Sequence, residues 1–126
     1  MSALPLPQGT IDALEKKNRA FLWAGKDKAS GAQCLVAWEN VTQPKENGGL
    51  GVKNIAVQNQ CLLLKLLHRL HYPADSAWAT WARSEICVAT LKGNLDGTHW
   101  QALRCLLPAY QSITMSKVGD GNATDF

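Results

Sequence analysis

What most constrains this chain is the segment from Ile55 to His71, IAVQNQCLLLKLLHRLH, its longest apolar-periodic run. At 100° per residue, Ile55, Ala56, Leu62, Leu63, Leu66, Leu67 and Leu70 cover one broad face, with Leu64 at its edge. Asn54, Gln58, Lys65, His68 and Arg69 gather on the other. So wide an apolar arc belongs to a helix buried on more than one side, and a core helix over 55–71 is expected, with Asn54 as its N-cap. Just upstream, Pro44, Glu46-Asn47 and Gly48-Gly49 build a turn that leads through Leu50-Gly51 into the helix. A glycine pair marks positive φ or an approach too close for a Cβ.

The remaining elements are read from caps and breakers. Leu4-Pro5-Leu6-Pro7 favours an extended entry. Thr10 is expected to cap a helix over 11–23, with Asp12 in its first turn and Gly25 past its end. Its stripe is Ile11, Leu14, Phe21 and Leu22, joined by Asn18, while Asp12, Glu15, Lys16 and Arg19 face water. Lys26 to Ala32 is a polar loop. Over 34–41 the run fits either a short strand from Cys34 to Trp38 or one helical turn from Trp38 to Val41. After the break at Tyr72-Pro73, Asp75 or Ser76 caps a helix over 76–86, with Trp78, Trp81 and Ala82 on one side. A turn over 93–97 precedes a fourth helix at 99–107, where Thr98 and Gln101 have capping-box spacing. Trp100, Leu103 and Leu107 form its stripe, and Pro108 ends it. Residues 112–126 read as strand, Gly119-Asp120-Gly121-Asn122 turn and a short returning strand, a β-hairpin stub. The expected fold is mainly α: about four helices, a Gly-Gly turn before the core helix and a hairpin stub at the C-terminus. Together, 1–126 form a single helical domain or partial domain.

Composition narrows the function classes. With 126 residues, 46% hydrophobic and 18% charged, the chain suits a globular domain with a real core. The net charge of +3 is uneven: residues 1–72 hold nine Lys/Arg against five Asp/Glu, and residues 73–126 four against five. Lys16, Lys17, Arg19, Lys26, Lys28, Lys65 and Arg69 supply most of that surplus. They are the candidate contacts for weak, sequence-indifferent RNA or DNA binding. No segment approaches ~18 uncharged apolar residues, and the opening lacks the basic and apolar regions of a secretory leader. An intracellular protein, cytoplasmic or nuclear, is expected, with no membrane partner and no small-molecule substrate.

No residue constellation points to catalysis. Two-metal polymerisation needs clustered carboxylates, and no two of the ten acids are adjacent. His68-x-x-His71 has zinc-compatible spacing but no third ligand to match, and Lys65 and Arg69 oppose a cation there. Cys61 and His68 share a face without an orienting acid. Cys34, Cys61, Cys87 and Cys105 form no C-x-x-C pair and read as small buried apolar residues. Gly48-Gly49-Leu50-Gly51 lacks the Gly-Lys-Ser/Thr ending of a phosphate loop. Catalytic residues, metal and cofactor are therefore expected to be none. Trp23, Trp78, Trp81 and Trp100 sit with the apolar stripes and are expected in cores, whereas Trp38 is undecided.

The order FLWAG, VAWENVTQPKENGGLGVKN, a helix with Asn and a Leu run, then KVGDGNATDF resembles one family. It is the plant non-LTR (LINE-type) retrotransposon reverse transcriptases, in the C-terminal region between the thumb and the zinc-binding segment. The matching positions are Phe21, Leu22, Trp23, Gly25, Trp38, Pro44, Lys45, Gly48 to Gly51, Asn59, Leu62, Leu63 and Lys65, then Gly119, Asp120, Gly121, Thr124 and Phe126. Leu66 stands where the family has Trp. The resemblance implies structural roles for Trp23, Gly25, Trp38, Pro44, Gly48, Gly49, Gly51, Asn59, Gly119 and Gly121. It also implies a non-catalytic fragment of a transposable-element protein: the parent is an RNA-directed DNA polymerase, and the polymerase carboxylates, endonuclease and ribonuclease H parts are missing. Two other classes fit the residues, an independent helical nucleic-acid-binding module and a helical protein-interaction module.

Overall fold

A computed structural model describes residues 4–25, 36–72 and 75–115. They form five α-helices and one two-stranded antiparallel hairpin, a mainly α architecture: α1 (Gln8–Ala24), α2 (Trp38–Val41), α3 (Ile55–His71), α4 (Ala77–Glu85), β1 (Ile86–Cys87), β2 (Lys92–Gly93) and α5 (Thr98–Ile113). A 3-10 turn, Lys45–Asn47, precedes α3. The chain divides into two compact units, Met1–Leu62 and Leu63–Phe126.

In the first unit α1 starts earlier than the sequence predicts. Pro7, not Thr10, precedes the first turn, and its carbonyl accepts from the Thr10 and Ile11 amides at 3.0 and 3.2 Å. Proline's fixed φ turns the extended lead straight into the helix, so no side-chain cap forms. Asp12 thus lies beyond the first turn, where it accepts from Gln8 Nε2 four residues earlier, at 2.9 Å. Gly25 closes the other end as expected, its N–H on the Phe21 carbonyl.

The predicted stripe of α1 is largely outward. Ile11 and Ala20 are buried, but Phe21 is 75% exposed, Leu14 and Leu22 are each 39% exposed, and Asn18 faces solvent. Arg19 lies over the Trp38 ring, Cζ 5.6 Å from its centroid. That contact turns the Arg19 side of α1 toward α2 and rotates the stripe away. Between the two readings of 34–41 the helical turn holds: Trp38–Val41 is α2, with Trp38 and Val41 buried.

Helix α3 has the predicted bounds. Asn54 Oδ1 accepts from the Val57 amide at 3.1 Å, the N-cap geometry that satisfies an otherwise orphan donor. Ile55, Asn59, Leu63, Leu67 and Leu70 are buried, and Leu62, Leu64 and Leu66 are half-buried.

The second unit is built on one core: Leu63, Leu67, Leu70, Ala82, Ile86, Leu91, Trp100, Leu103, Leu107 and Tyr110. Ser76 caps α4, its Oγ accepting from Ala79 N at 3.4 Å. Ala79 and Ala82 are fully buried, and Trp78 stacks on Trp100 with centroids 6.4 Å apart and 8° between planes. Trp81, expected with them, is 51% exposed, because Ala79 and Ala82 occupy the inward positions on either side of it. The β1–β2 hairpin pairs Ile86 with Gly93 and Cys87 with Lys92. Periodicity gives no sign of strands two residues long. Arg104 holds both the hairpin's turn and the loop beyond it, with Nε on the Leu91 carbonyl at 2.8 Å and a terminal nitrogen on the Leu95 carbonyl at 3.0 Å.

Helix α5 corrects three expectations. Gly97 occupies the N-cap and Thr98 is already helical, so the predicted capping box does not form. Pro108 lies inside the helix rather than ending it. A mid-helix proline costs about 3 kcal/mol, and burial of Leu107 and Tyr110 on either side, with the Thr114 amide on the Tyr110 carbonyl, offsets it. Ser112 and Ile113 consequently belong to the last helical turn, not to a strand. The remainder of the predicted stub, with Gly119 and Gly121, lies outside the described residues apart from Thr114 and Met115, which are in neither helix nor strand.

Cys61, Cys87 and Cys105 are exposed, contrary to the expectation of buried thiols; Cys34 lies outside the described residues. The helical positions explain two of them. Cys61 is two residues from both Asn59 and Leu63, and Cys105 two from Leu103 and Leu107, so each points about 200° away from its buried neighbours.

At the start of α5, burial holds the His99 imidazole below its usual 6.5, and its Nδ1 is buried without a partner. The folded state therefore resists protonation more than the unfolded chain. Stability is fully present above pH 6.5 and is lost as pH falls from there through the folded value. Thermal melting should show Tm dropping as pH is lowered through this window. His99→Gln should remove that part of the drop, and an unchanged pH profile in the variant would overturn the assignment.

Candidate functional site

Within the first unit, Pro44, Gly48, Gly49, Gly51 and Asn59, all positions of the family pattern, do architectural work. Between α2 and α3 the chain folds back on itself: Leu50 N donates to Val41 O and Gly51 N to Gln43 O, both at 3.0 Å. The 3-10 turn starts at Pro44, whose carbonyl takes the Asn47 amide at 3.0 Å and the Gly49 amide at 3.1 Å. Gly48 ends it at φ +83°, a left-handed conformation that disfavours a Cβ. Gly49 is held by contact instead: a Cβ there would run into the Gln43 carbonyl. A backbone crossing this close admits only glycine.

Asn59 is the other fixed point. Buried at 5% exposure, it accepts from Leu6 N at 3.1 Å and donates through Nδ2 to Leu4 O at 2.8 Å. Its amide imitates a peptide group and ties the proline-punctuated lead to α3. The sequence predicts a structural asparagine here only through the family resemblance; its partners 53 and 55 residues away leave no local signal.

Trp23 and Trp38 both belong to this unit, Trp38 at 6% exposure and Trp23 half-buried. Their indole N–H groups and Arg19 Nε are buried without an acceptor. Arg19 is accordingly a packed cation on Trp38 rather than part of a fully solvated face. Of the other candidate nucleic-acid contacts, Lys16 and Lys17 are exposed on α1, and Lys65 and Arg69 are exposed on α3. Lys26 and Lys28 lie outside the described residues.

A second cluster, in the other unit, was not apparent as a cluster in the sequence. His68 Nδ1 lies 3.1 Å from the hydroxyl of buried Tyr110, and its ring centroid is 5.0 Å from that of Tyr72. His71 Nδ1 donates to Leu67 O at 2.9 Å and sits 4.9 Å from the Tyr110 ring. Burial, with Tyr72 beside it, raises the Tyr110 phenol above its usual value. The i,i+4 spacing of His68 and Tyr72 was the available signal. Among the described residues, no three His, Cys, Asp or Glu side chains gather where a metal could be held. On the hairpin, the Thr90 hydroxyl and then the Ala89 and Thr90 amides lower the exposed Cys87 thiol.

No helix of the described residues is long and apolar enough to cross a membrane. Over 78 residues, 62% of its length, the chain is 38% identical to an Arabidopsis thaliana protein named "Putative ribonuclease H protein". It spans 12% of that protein. No protein-family model matches the chain. No solved structure matches it.

Proposed function

We propose that this chain is a non-catalytic segment of a plant LINE-type retrotransposon reverse-transcriptase-like protein, whose intact form acts in RNA-templated DNA synthesis. The similarity to a plant protein named for ribonuclease H carries the reading, since the retroelement family it resembles joins that activity to a polymerase. The geometry of the motif supports it. Gly48, Gly49, Pro44 and Asn59, positions of the family pattern, maintain a turn and a docked lead. The exposed cations Lys16, Lys17, Lys65 and Arg69 give the segment a weak, sequence-indifferent attraction for RNA or DNA.

Purified protein supplied with primer, template, nucleotides and magnesium should extend nothing above background. An RNA–DNA hybrid under the same conditions should stay intact. Both reactions need carboxylates that hold two metal ions about 3.5–4 Å apart. Activity that survives stringent purification and disappears when one acid is substituted would overturn the proposal. So would flanking genomic DNA without a Tyr-x-Asp-Asp run upstream or ribonuclease H carboxylates downstream.

A further inference from the structure

We propose that the face formed by Lys65, His68 and Arg69 of α3 and by Tyr72, the residue just past its end, binds single-stranded nucleic acid, with Tyr72 and His68 stacking on bases and the two cations meeting phosphates. These residues stand at i, i+3, i+4 and i+7 and form one stripe about 10 Å long, at 1.5 Å rise per residue. All four are exposed, Tyr72 at 56%. Two features set the stripe apart from an ordinary solvated helix face.

The first is that its aromatic groups are adjacent and outward. The His68 and Tyr72 centroids are 5.0 Å apart with 38° between planes. Exposed aromatic rings alternating with cations are what a single strand needs, because every base offers a π-face and every linkage a charge. In a duplex those π-faces are hidden in the stack, so the platform discriminates strandedness rather than sequence. The second feature is preorganisation. The Tyr110 hydroxyl, on a residue 5% exposed, holds the His68 ring from behind, so less rotamer freedom is lost when a base arrives.

The inference rests on the reading above for its biological setting, not for its chemistry. The whole chain should be titrated against one short labelled oligonucleotide as single-stranded RNA, as single-stranded DNA, and annealed into a duplex. Single strands should bind more tightly than duplex. Tyr72→Ala should weaken single-strand binding about 5- to 150-fold, the range for losing one stacked base, while Tyr72→Phe retains it. Neither change should alter the salt slope, whereas Lys65→Gln with Arg69→Gln should flatten it by about 1.4, at about 0.7 per phosphate contact. Circular dichroism of each variant verifies that the helices are intact. Because Tyr72 is exposed, its replacement leaves the core untouched. Equal affinity for duplex and single strand, unchanged binding in Tyr72→Ala, or no binding at low salt would each overturn the inference. None of these outcomes bears on membership in a retroelement polyprotein. Primer extension by the isolated chain would sink that proposal and leave the stacking result standing.

Discussion

Gly49→Ala will destabilise the first unit by about 3 kcal/mol or more, since the added methyl meets backbone rather than a side chain that can swing aside. The Gln43 carbonyl it would strike belongs to the strand-like crossing in which Gly51 N also donates to Gln43 O. Relieving the clash therefore pulls apart a hydrogen bond as well. Gly9 is the control. It lies in the first turn of α1 with open space around its Cβ position, so Gly9→Ala should stabilise by about 0.5–1 kcal/mol, as a glycine-to-alanine change in a helix does. Urea unfolding followed by tryptophan fluorescence measures both. The opposite signs are the decisive feature: a Gly49→Ala protein as stable as the parent would mean that the crossing is not as close as described.

In the second unit the largest effects should come from Leu67 and Leu103, both at 0% exposure in the shared core. Either change to Ala should cost about 3–5 kcal/mol, transfer free energy plus the cavity left behind. Lys65→Ala, two residues before Leu67 on the exposed side, should change stability by less than about 0.5 kcal/mol. Thermal or chemical denaturation of the three variants tests the assignment. Similar losses in Lys65→Ala and Leu67→Ala would refute the faces given to α3.

Helix α3 was legible in the sequence because its signals are local and agree: an Asn cap, a leucine face and a Tyr-Pro break fix the same limits. The Ser76 cap and the closing Gly25 were legible for the same reason. Periodicity finds an apolar stripe but not what covers it, which is how α1 misleads. Its leucines and Phe21 suggest the inward side, yet the contact that orients the helix is Arg19 on Trp38, a cation–π pair between separate helices. Pro108 fails differently. As a breaker it removes one amide, and only the burial of Leu107 and Tyr110 in the tertiary core shows that the helix survives the loss. In the candidate sites, the lysines and the HxxH pair were visible, while the backing of His68 by Tyr110, 42 residues away, was not. The Asn59 clamp had the same obstacle at greater range. A residue type that bonds main chain carries no mark of which main chain it will bond.

That range has a kinetic meaning. The Leu6–Asn59 contact joins residues 53 apart, and closing a flexible loop of that length costs about 3.5 kcal/mol of chain entropy before any constant term. Two hydrogen bonds cannot meet such a cost until the intervening helices have already shortened the path. The lead should thus settle only after α1, α2 and the turn around Gly49 are in place. In the native protein it should also be the first segment to lift away, exposing the Asn59 amide while the rest of the unit stays folded.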